Sequence, residues 1–249
     1  MCLATDEGAV SSSATAHSTT QDPAHTRMLQ AIPLFSSLDP AKFGELINRI
    51  VTKRFHKNQV VLLEEETASF IYVVYSGKVR VVNQGFAGGE QILAIHKRGD
   101  IFGEIALLDA KTVPATVIAM EEVEVGLISR ETFQKLFLTT EKALLQLIAI
   151  LCQRLRETQL IMKVSALPDA ELRLRSILNH LSLLHGVRDD RGLVIALRLT
   201  HKELAGYASV CRETVTRLLQ RMTVAGELEM LDNHTILLKR SFIEKQKLL

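Results

Sequence analysis

Leu199–Gly226 reads LTHKELAGYASVCRETVTRLLQRMTVAG, and this stretch decides the fold of the C-terminal part of the chain. Thr200 and Glu203 have the S/T-x-x-E spacing of a capping box, so a helix begins at Thr200. A short break is expected at Ala208–Cys211, and a second helix runs from about Arg212. In that helix Val215, Leu218, Leu219 and Met222 recur at i, i+3, i+4 and i+7, which makes one buried stripe. Arg212, Glu213, Thr216, Arg217 and Gln220 fall on the opposite face. Gly226 stands where a glycine ends a helix. Such a helix fits the DNA major groove, where Arg bonds guanine bidentately and Glu accepts from a cytosine amine.

Periodicity alone also fits two amphipathic surface helices with a solvated charged face. The residues C-terminal to Gly226 weigh against that. Glu227–Met230 and Thr235–Lys239 are apolar runs around Asp232-Asn233-His234, residue types that accept turn geometry, so they read as a β-hairpin. A helix-turn-helix followed by a hairpin is a winged helix.

The 249 residues are enough for two domains, and a hydrophobic content of 47% supports real cores. With no Trp and few aromatics those cores are aliphatic. There is no apolar run of the roughly 18 residues a membrane span needs, and no charged start followed by an apolar stretch, so neither membrane nor secretory signal is expected. The three cysteines, Cys2, Cys152 and Cys211, are scattered and odd in number, which suits a reducing cytoplasm. Net charge is only +2, but residues 166–249 carry 13 basic and 10 acidic groups. That is a modest phosphate-binding footprint.

Residues 1–26, rich in Ser, Thr and Ala, read as a disordered tail. A short helical pattern from Arg27 to about Ile50 is interrupted near Pro33 and Pro40. Between Phe55 and Ile128 the pattern changes to period two. The runs Val60–Leu63, Phe70–Tyr75, Lys78–Val82, Gln91–Ile95, Ala115–Ala119 and Val123–Ile128 are punctuated by Gly77, Gly85, Gly88-Gly89 and Gly99. Short strands so spaced leave no room for helical crossovers and form a sandwich or barrel. Helical periodicity returns after Ser129. Over Thr140–Ser165 a seam of Leu144, Ile148, Leu151, Leu155, Thr158, Met162 and Ser165 has 4-3 spacing, the a/d pattern of a two-stranded coiled coil. A second stripe of Leu145 and Cys152, with Leu147 or Ile161 beside it, is assigned to packing on the strands. The seam either faces a second copy or packs inside one subunit. Leu167-Pro168-Asp169 breaks the helix and serves as a hinge. A helix over Ala170–His185 then leads through a loop, Gly186–Gly192, to the helix-turn-helix.

This order resembles the cAMP receptor protein/FNR (CRP/FNR) family of bacterial transcription regulators, over roughly Leu29 to Lys239. Gly99-Asp100-Ile101-Phe102-Gly103-Glu104-Ile105-Ala106-Leu107-Leu108 looks like the family's GD-x-[FI]-GE-x-x-L signature, and Cys211–Arg217 looks like its DNA-reading helix. Arg212 matches the cAMP-receptor branch, whereas the FNR branch lacks that Arg and usually has Ser where this chain has Thr216. The implied fold is α+β: residues 27–139 form a cyclic-nucleotide-binding-type β-sandwich (jelly roll), 140–166 a dimerisation helix, and 167–249 a winged helix-turn-helix. The resemblance implies that Arg212, Glu213 and Arg217 read bases in TGTGA-like half-sites of an interrupted palindrome. Thr200, His201, Lys202, Thr216, Gln220 and Arg221 then touch phosphates or set orientation. It assigns an effector pocket to Leu93, Gly103, Glu104, Ile105, Ala106, Val113, Pro114, Thr158 and Gln159, and a dimer seam to Leu144, Ile148, Leu151, Leu155 and Met162. Double-stranded DNA, a second copy of the chain, RNA polymerase and a small-molecule effector are the implied partners.

The pattern breaks at one place. The family's nucleotide cassette carries an Arg-Ser pair about ten residues beyond Gly-Glu, and the Arg holds the cyclic phosphate. Here those positions are Val113-Pro114. A buried phosphate loses its bidentate partner, and Pro offers no backbone donor. Losing a hydrogen bond to a charged group costs about 1.5–3 kcal/mol. An effector other than cAMP is therefore expected, with Gly103 and Glu104 serving turn and packing alone. An iron–sulfur cluster needs four thiolates, which three scattered cysteines do not supply. Haem needs an axial ligand, for which His56 and His96 are the candidates, each with an ordinary surface or core role as the alternative. Cys211, near a helix N-terminus, is either a reactive thiol or a small turn residue. No phosphate loop, metal cluster or G-x-S-x-G elbow is present, so no enzyme is expected, and Glu64-Glu65-Glu66 reads as a solvated turn. Two alternatives remain. One is an effector-free or redox-gated regulator. The other is a docking module without DNA binding, against which stand three base-reading side chains on one face.

Overall fold

The computed structural model describes residues 22–84, 90–231 and 235–246. The tail through residue 21, Cys2, Gly85, Gly88-Gly89 and the Asp232-Asn233-His234 turn lie outside the described residues. Contacts group the chain into two compact units. One holds the residues up to Val79 with His96–Gln146, and the other holds Arg80–Ile95 with the residues from Leu147 onward.

The first unit opens with three short helices, α1 (Pro23–Ala31), α2 (Pro33–Ser36) and α3 (Pro40–Arg49). Helix α1 starts ahead of the expected Arg27, because the Asp22 carboxylate caps it and Pro23 fits its first turn. Pro33 and Pro40, read as interruptions, each start the next helix. Their fixed φ and missing N–H suit a position that needs no donor. Strands β1 (Val51–Phe55), β2 (Val60–Leu62), β3 (Phe70–Ser76), β4 (Lys78–Gln84), β5 (Glu90–Lys97) and β6 (Ile101–Phe102) follow, with most of β4 and β5 grouped in the second unit. Then come α4 (Glu104–Asp109), β7 (Thr116–Ala119), β8 (Val123–Ser129) and α5 (Arg130–Leu136). One four-stranded sheet has the order β1-β8-β3-β6, the other β2-β7-β4-β5. The pairings of β1 and β3 with β8, of β3 with β6 and of β2 with β7 are antiparallel. Strand β3 is buried from Ile71 to Tyr75. Its partners, the Val125 and Ile128 side chains and Phe133 of α5, are equally closed to solvent. Strands β1 and β6 have no counterpart in the sequence pattern. Strand β1 carries Lys53-Arg54 and buries only Phe55, and β6 has two residues, so neither shows a period.

In the second unit α6 (Glu141–Ser165), which begins in the first, is followed by α7 (Ala170–His185), β9 (Gly186–Asp189), β10 (Gly192–Ile195), α8 (His201–Ala208) and α9 (Arg212–Val224). It ends with β11 (Leu228–Leu231), β12 (Thr235–Lys239) and α10 (Arg240–Gln246). The expected loop over Gly186–Gly192 is instead a hairpin: β9 and β10 extend the wing into a sheet ordered β11-β12-β10-β9. The Asp189 carboxylate accepts from the Arg191 backbone N–H at 2.9 Å to make the turn. Gly192 is required for close approach, since a Cβ there would stand 2.0 Å from the Leu238 carbonyl oxygen. The start of β5 comes close to α8 at Gly206, where a Cβ would meet the Glu90 carbonyl oxygen at 3.0 Å and the Ile92 side chain at 3.1 Å.

The packed face of α6 differs from the expected stripe. Leu145 and Cys152 are exposed, and the buried residues are Ala143, Leu147, Ile161 and Val164. The four buried positions, with half-buried 150, 154 and 157, fall in a second 4-3 stripe at 143, 147, 150, 154, 157, 161 and 164, while 144, 146, 151 and 160 are also half-buried. The Arg154–Glu157 ion pair sits in its middle, which hides it from a search for apolar residues. The first seam stays partly open in the protomer: Ile148, Leu155 and Met162 are each more than half exposed, and Leu144 and Leu151 are half-buried.

Candidate nucleic-acid interface

Thr200 is the N-cap of α8. Its hydroxyl accepts from the Glu203 N–H, and the Glu203 carboxylate accepts from the Thr200 N–H at 2.7 Å. The box places the first helix, and Ser209, in the left-handed region at φ 51°, turns the chain toward α9. Val215, Leu218, Leu219 and Met222 are all buried, as the stripe requires. Gly226 has φ +70° and ends the helix. Burial of that stripe leaves Arg212, Glu213, Thr216, Arg217 and Gln220 on the open face of α9. Among the described residues no hydrogen bond or ion pair occupies the side chains of Arg212, Glu213 or Arg217. Three ready polar groups thus stand on one free helical face.

The flanking residues divide. Lys202 and Gln220 are exposed. Thr216 is engaged within the motif: its hydroxyl donates to the Arg212 carbonyl at 3.0 Å and lies 2.8 Å from His201 Nδ1. These contacts tie the start of α8 to the first turn of α9. Arg221 is paired with the Glu171 carboxylate of α7. Glu171 also holds Arg175, whose guanidinium reaches Glu227 at 2.6 Å and lies over the Phe242 ring. Arg173 donates to the Ser209 carbonyl at 3.3 Å. So α7 holds the C-cap of α8 and the last turn of α9. These charged residues escape sequence reasoning, because long-range pairing leaves no local spacing to read. At the α9 N-cap, the Thr214 hydroxyl, 3.0 Å from the sulfur, and the Thr214 backbone N–H hold the Cys211 thiol below its usual range.

In the first unit Gly103 has φ +85°, and a Cβ there would press on the Phe70 carbonyl oxygen and the Tyr72 ring, both at 3.2 Å. Glu104 and Ala106 are buried in α4, and Ile105 is exposed. Val113 is buried and exchanges backbone hydrogen bonds with Glu65 and Glu66 at 2.9 Å, while Pro114 is exposed. Neither residue of this pair supplies the cation that the family Arg provides, and Lys111 nearby is exposed. Arg130 donates to the Leu107 and Ala68 carbonyls at 2.6 and 2.9 Å, closing the end of α4. His56 is exposed and pairs with Glu122, whereas His96 is buried and stacked on Phe102, which in turn stacks on Tyr72. Burial, with the Glu66 charge, pushes the Tyr72 hydroxyl up to about 12. In the second unit Leu93 lies on β5 and is half-buried, and Thr158 and Gln159 are exposed on α6. The Thr158 hydroxyl donates to the Arg154 carbonyl at 2.9 Å. Among the described residues no group of three or more His, Cys, Asp or Glu is arranged to hold a metal. No described helix is long and apolar enough to cross a membrane.

A β-sandwich of the cyclic-nucleotide-binding type joined to a winged helix-turn-helix defines a class of DNA-binding regulators. Known proteins agree with that class. The cyclic nucleotide-binding domain model matches residues 52–140 and the Crp-like helix-turn-helix domain model matches residues 173–242, together more than half of the chain. The Cyclic AMP receptor protein of Thermus thermophilus is 29% identical over 202 residues, 81% of this chain and 90% of that protein. FixK2 of Bradyrhizobium japonicum shares the fold, with a TM-score of 0.69 at 24% identity over 80% of this chain and 96% of the other. A CooA mutant of Carboxydothermus hydrogenoformans has the same score at 25% identity, over 81% and 89% of the two chains. The chain belongs to the CRP/FNR family of DNA-binding transcription regulators.

Proposed function

We propose that this regulator works in the cytoplasm as a homodimer that reads an interrupted palindrome with TGTGA-like half-sites, gated by an effector other than cAMP. The α6 seam of Leu144, Ile148, Leu151, Leu155 and Met162 joins the two copies, and each α9 enters one of two major grooves about 34 Å apart. Arg212, Glu213 and Arg217 contact base edges. Lys202 and Gln220 meet the backbone, while Thr200, His201 and Thr216 orient the helix. RNA polymerase is the protein partner. The effector shifts the population toward the state with correct helix spacing. Leu93, Gly103, Glu104, Ile105, Ala106, Val113, Pro114, Thr158 and Gln159 are the pocket candidates.

The observation that carries the DNA reading is the free row of Arg212, Glu213 and Arg217 over a fully buried stripe. A module that only docks a protein has no need of it. Arg217→Ala is expected to cost about 1–3 kcal/mol of DNA affinity and to relax one base position. Equal weakening on every duplex would make Arg217 a phosphate contact instead. Independence from cAMP is supported by the buried, backbone-paired Val113 and the exposed Pro114, which offer a phosphate no charge. Gly103 has a sufficient role in packing against Phe70 and Tyr72.

One observation favours redox gating as a second reading. The Cys211 thiol is exposed, acidified and placed at the start of α9, so its oxidation would disturb the reading helix. If Cys211→Ser leaves DNA binding as sensitive to peroxide as before, that reading fails.

A further inference from the structure

We infer that Glu171 is an intramolecular stand-in for a DNA phosphate: it holds Arg221 of α9 and withholds that guanidinium from the DNA backbone. The inference rests on the reading of α9 as the DNA-contacting helix. Arg221 lies one turn beyond Arg217 on the same stripe, and its side chain is 61% exposed. By position it belongs with the backbone-contacting residues, yet its charge is taken by a carboxylate from another helix.

That carboxylate is anchored. Glu171 is also bound to Arg175, whose side chain is 9% exposed and reaches Glu227, itself 4% exposed. Two cations and two carboxylates thus form one balanced chain, Arg221–Glu171–Arg175–Glu227. A guanidinium meets a carboxylate and a phosphate through the same fork of donors, so the two anions compete for Arg221. If Arg221 leaves for a phosphate, Glu171 and Glu227 remain with one buried cation between them, which opposes release. Glu171 stands two residues beyond Asp169, the α7 cap that follows Pro168. A shift of the first turn of α7 at this hinge therefore moves the carboxylate away from Arg221. The pair is a gate on nonspecific affinity set by the hinge.

The test is a salt titration of DNA affinity for the full chain, on a selected operator and on a random duplex. Glu171→Gln keeps the shape and removes the charge. It is expected to steepen the log–log salt slope by about 0.9 per copy of α9, which is roughly threefold more affinity lost per copy between 50 and 200 mM salt. The double variant Glu171→Gln/Arg221→Gln is expected to return to the wild-type slope, because the gain runs through Arg221. Arg221→Lys leaves Glu171, Arg175 and Glu227 intact and replaces the fork by a point charge held less firmly, so it steepens the slope even if Glu171→Gln folds poorly. An unchanged slope in Glu171→Gln or Arg221→Lys, or a steepened slope that persists in the double variant, overturns the gate. Arg217→Ala in the same titration keeps the two readings apart: if it is silent on the operator, α9 is not the DNA-contacting helix, and it is the functional reading that fails.

Discussion

Thr200 shows how much one hydroxyl settles. It closes both halves of the capping box and fixes where α8 begins. Thr200→Ala is expected to lower stability by about 1 kcal/mol in thermal unfolding, within the usual range for a lost N-cap. No loss would mean that packing of Leu204, Ala205 and Tyr207 alone holds the helix. His180 on α7 gives a pH dependence. Burial lowers its pKa below the ordinary histidine value, and the Glu157 charge opposes that shift. The folded form therefore takes up its proton less readily than the unfolded chain. Its contribution is full above about pH 6.5 and is lost as pH falls through the lowered folded value. Urea unfolding of His180→Gln is expected to lose part of the acid-side decline. An identical decline would assign it to other groups. Single residues are legible where their partners are local, as at Thr200 and Glu203. Arg175 and Glu227 are not, because 52 positions separate them and neither breaks a pattern.

Elements are legible where burial imposes a period. Helix α9 shows its stripe because one face is buried and the other open, and its bounds follow from Cys211 and Gly226. The central strands β3 and β8 are read from their apolar, β-branched runs instead, because consecutive residues on both of their faces are buried. Strand β1 is hidden by its charges, and the β9–β10 hairpin reads as a loop because Asp189, Asp190 and Gly192 dominate so short a segment. On α6 two 4-3 stripes coexist. The sequence pattern reveals the apolar one, and the structure shows that the other, containing Arg154 and Glu157, is the packed one. The open seam then predicts association. Leu155→Arg puts a charge at a central knob and is expected to turn a dimer into a monomer in sedimentation at micromolar protein, with the fold retained in far-UV circular dichroism. A wild-type monomer at the same concentration would remove the seam from the account.

At the scale of the whole molecule, the order of sandwich, long helix, hinge and winged helix is readable from changes of period along the chain, and it leads to the family. The effector is not readable. Family resemblance supplies a proposed pocket, but Val113 and Pro114 carry no charge for a cyclic phosphate, and a packed apolar residue does not declare a ligand. The proposed DNA recognition, by contrast, rests on side chains that the protein leaves unpaired on one helix face. The most direct test of that account is selection from a random duplex pool by the purified full chain, with and without cAMP. Enrichment of a TGTGA-like interrupted palindrome without cAMP is the predicted result. Enrichment only when cAMP is added would contradict the reading of Val113-Pro114, and no enrichment under either condition would contradict the account of α9 as a base-reading helix in the effector-free protein.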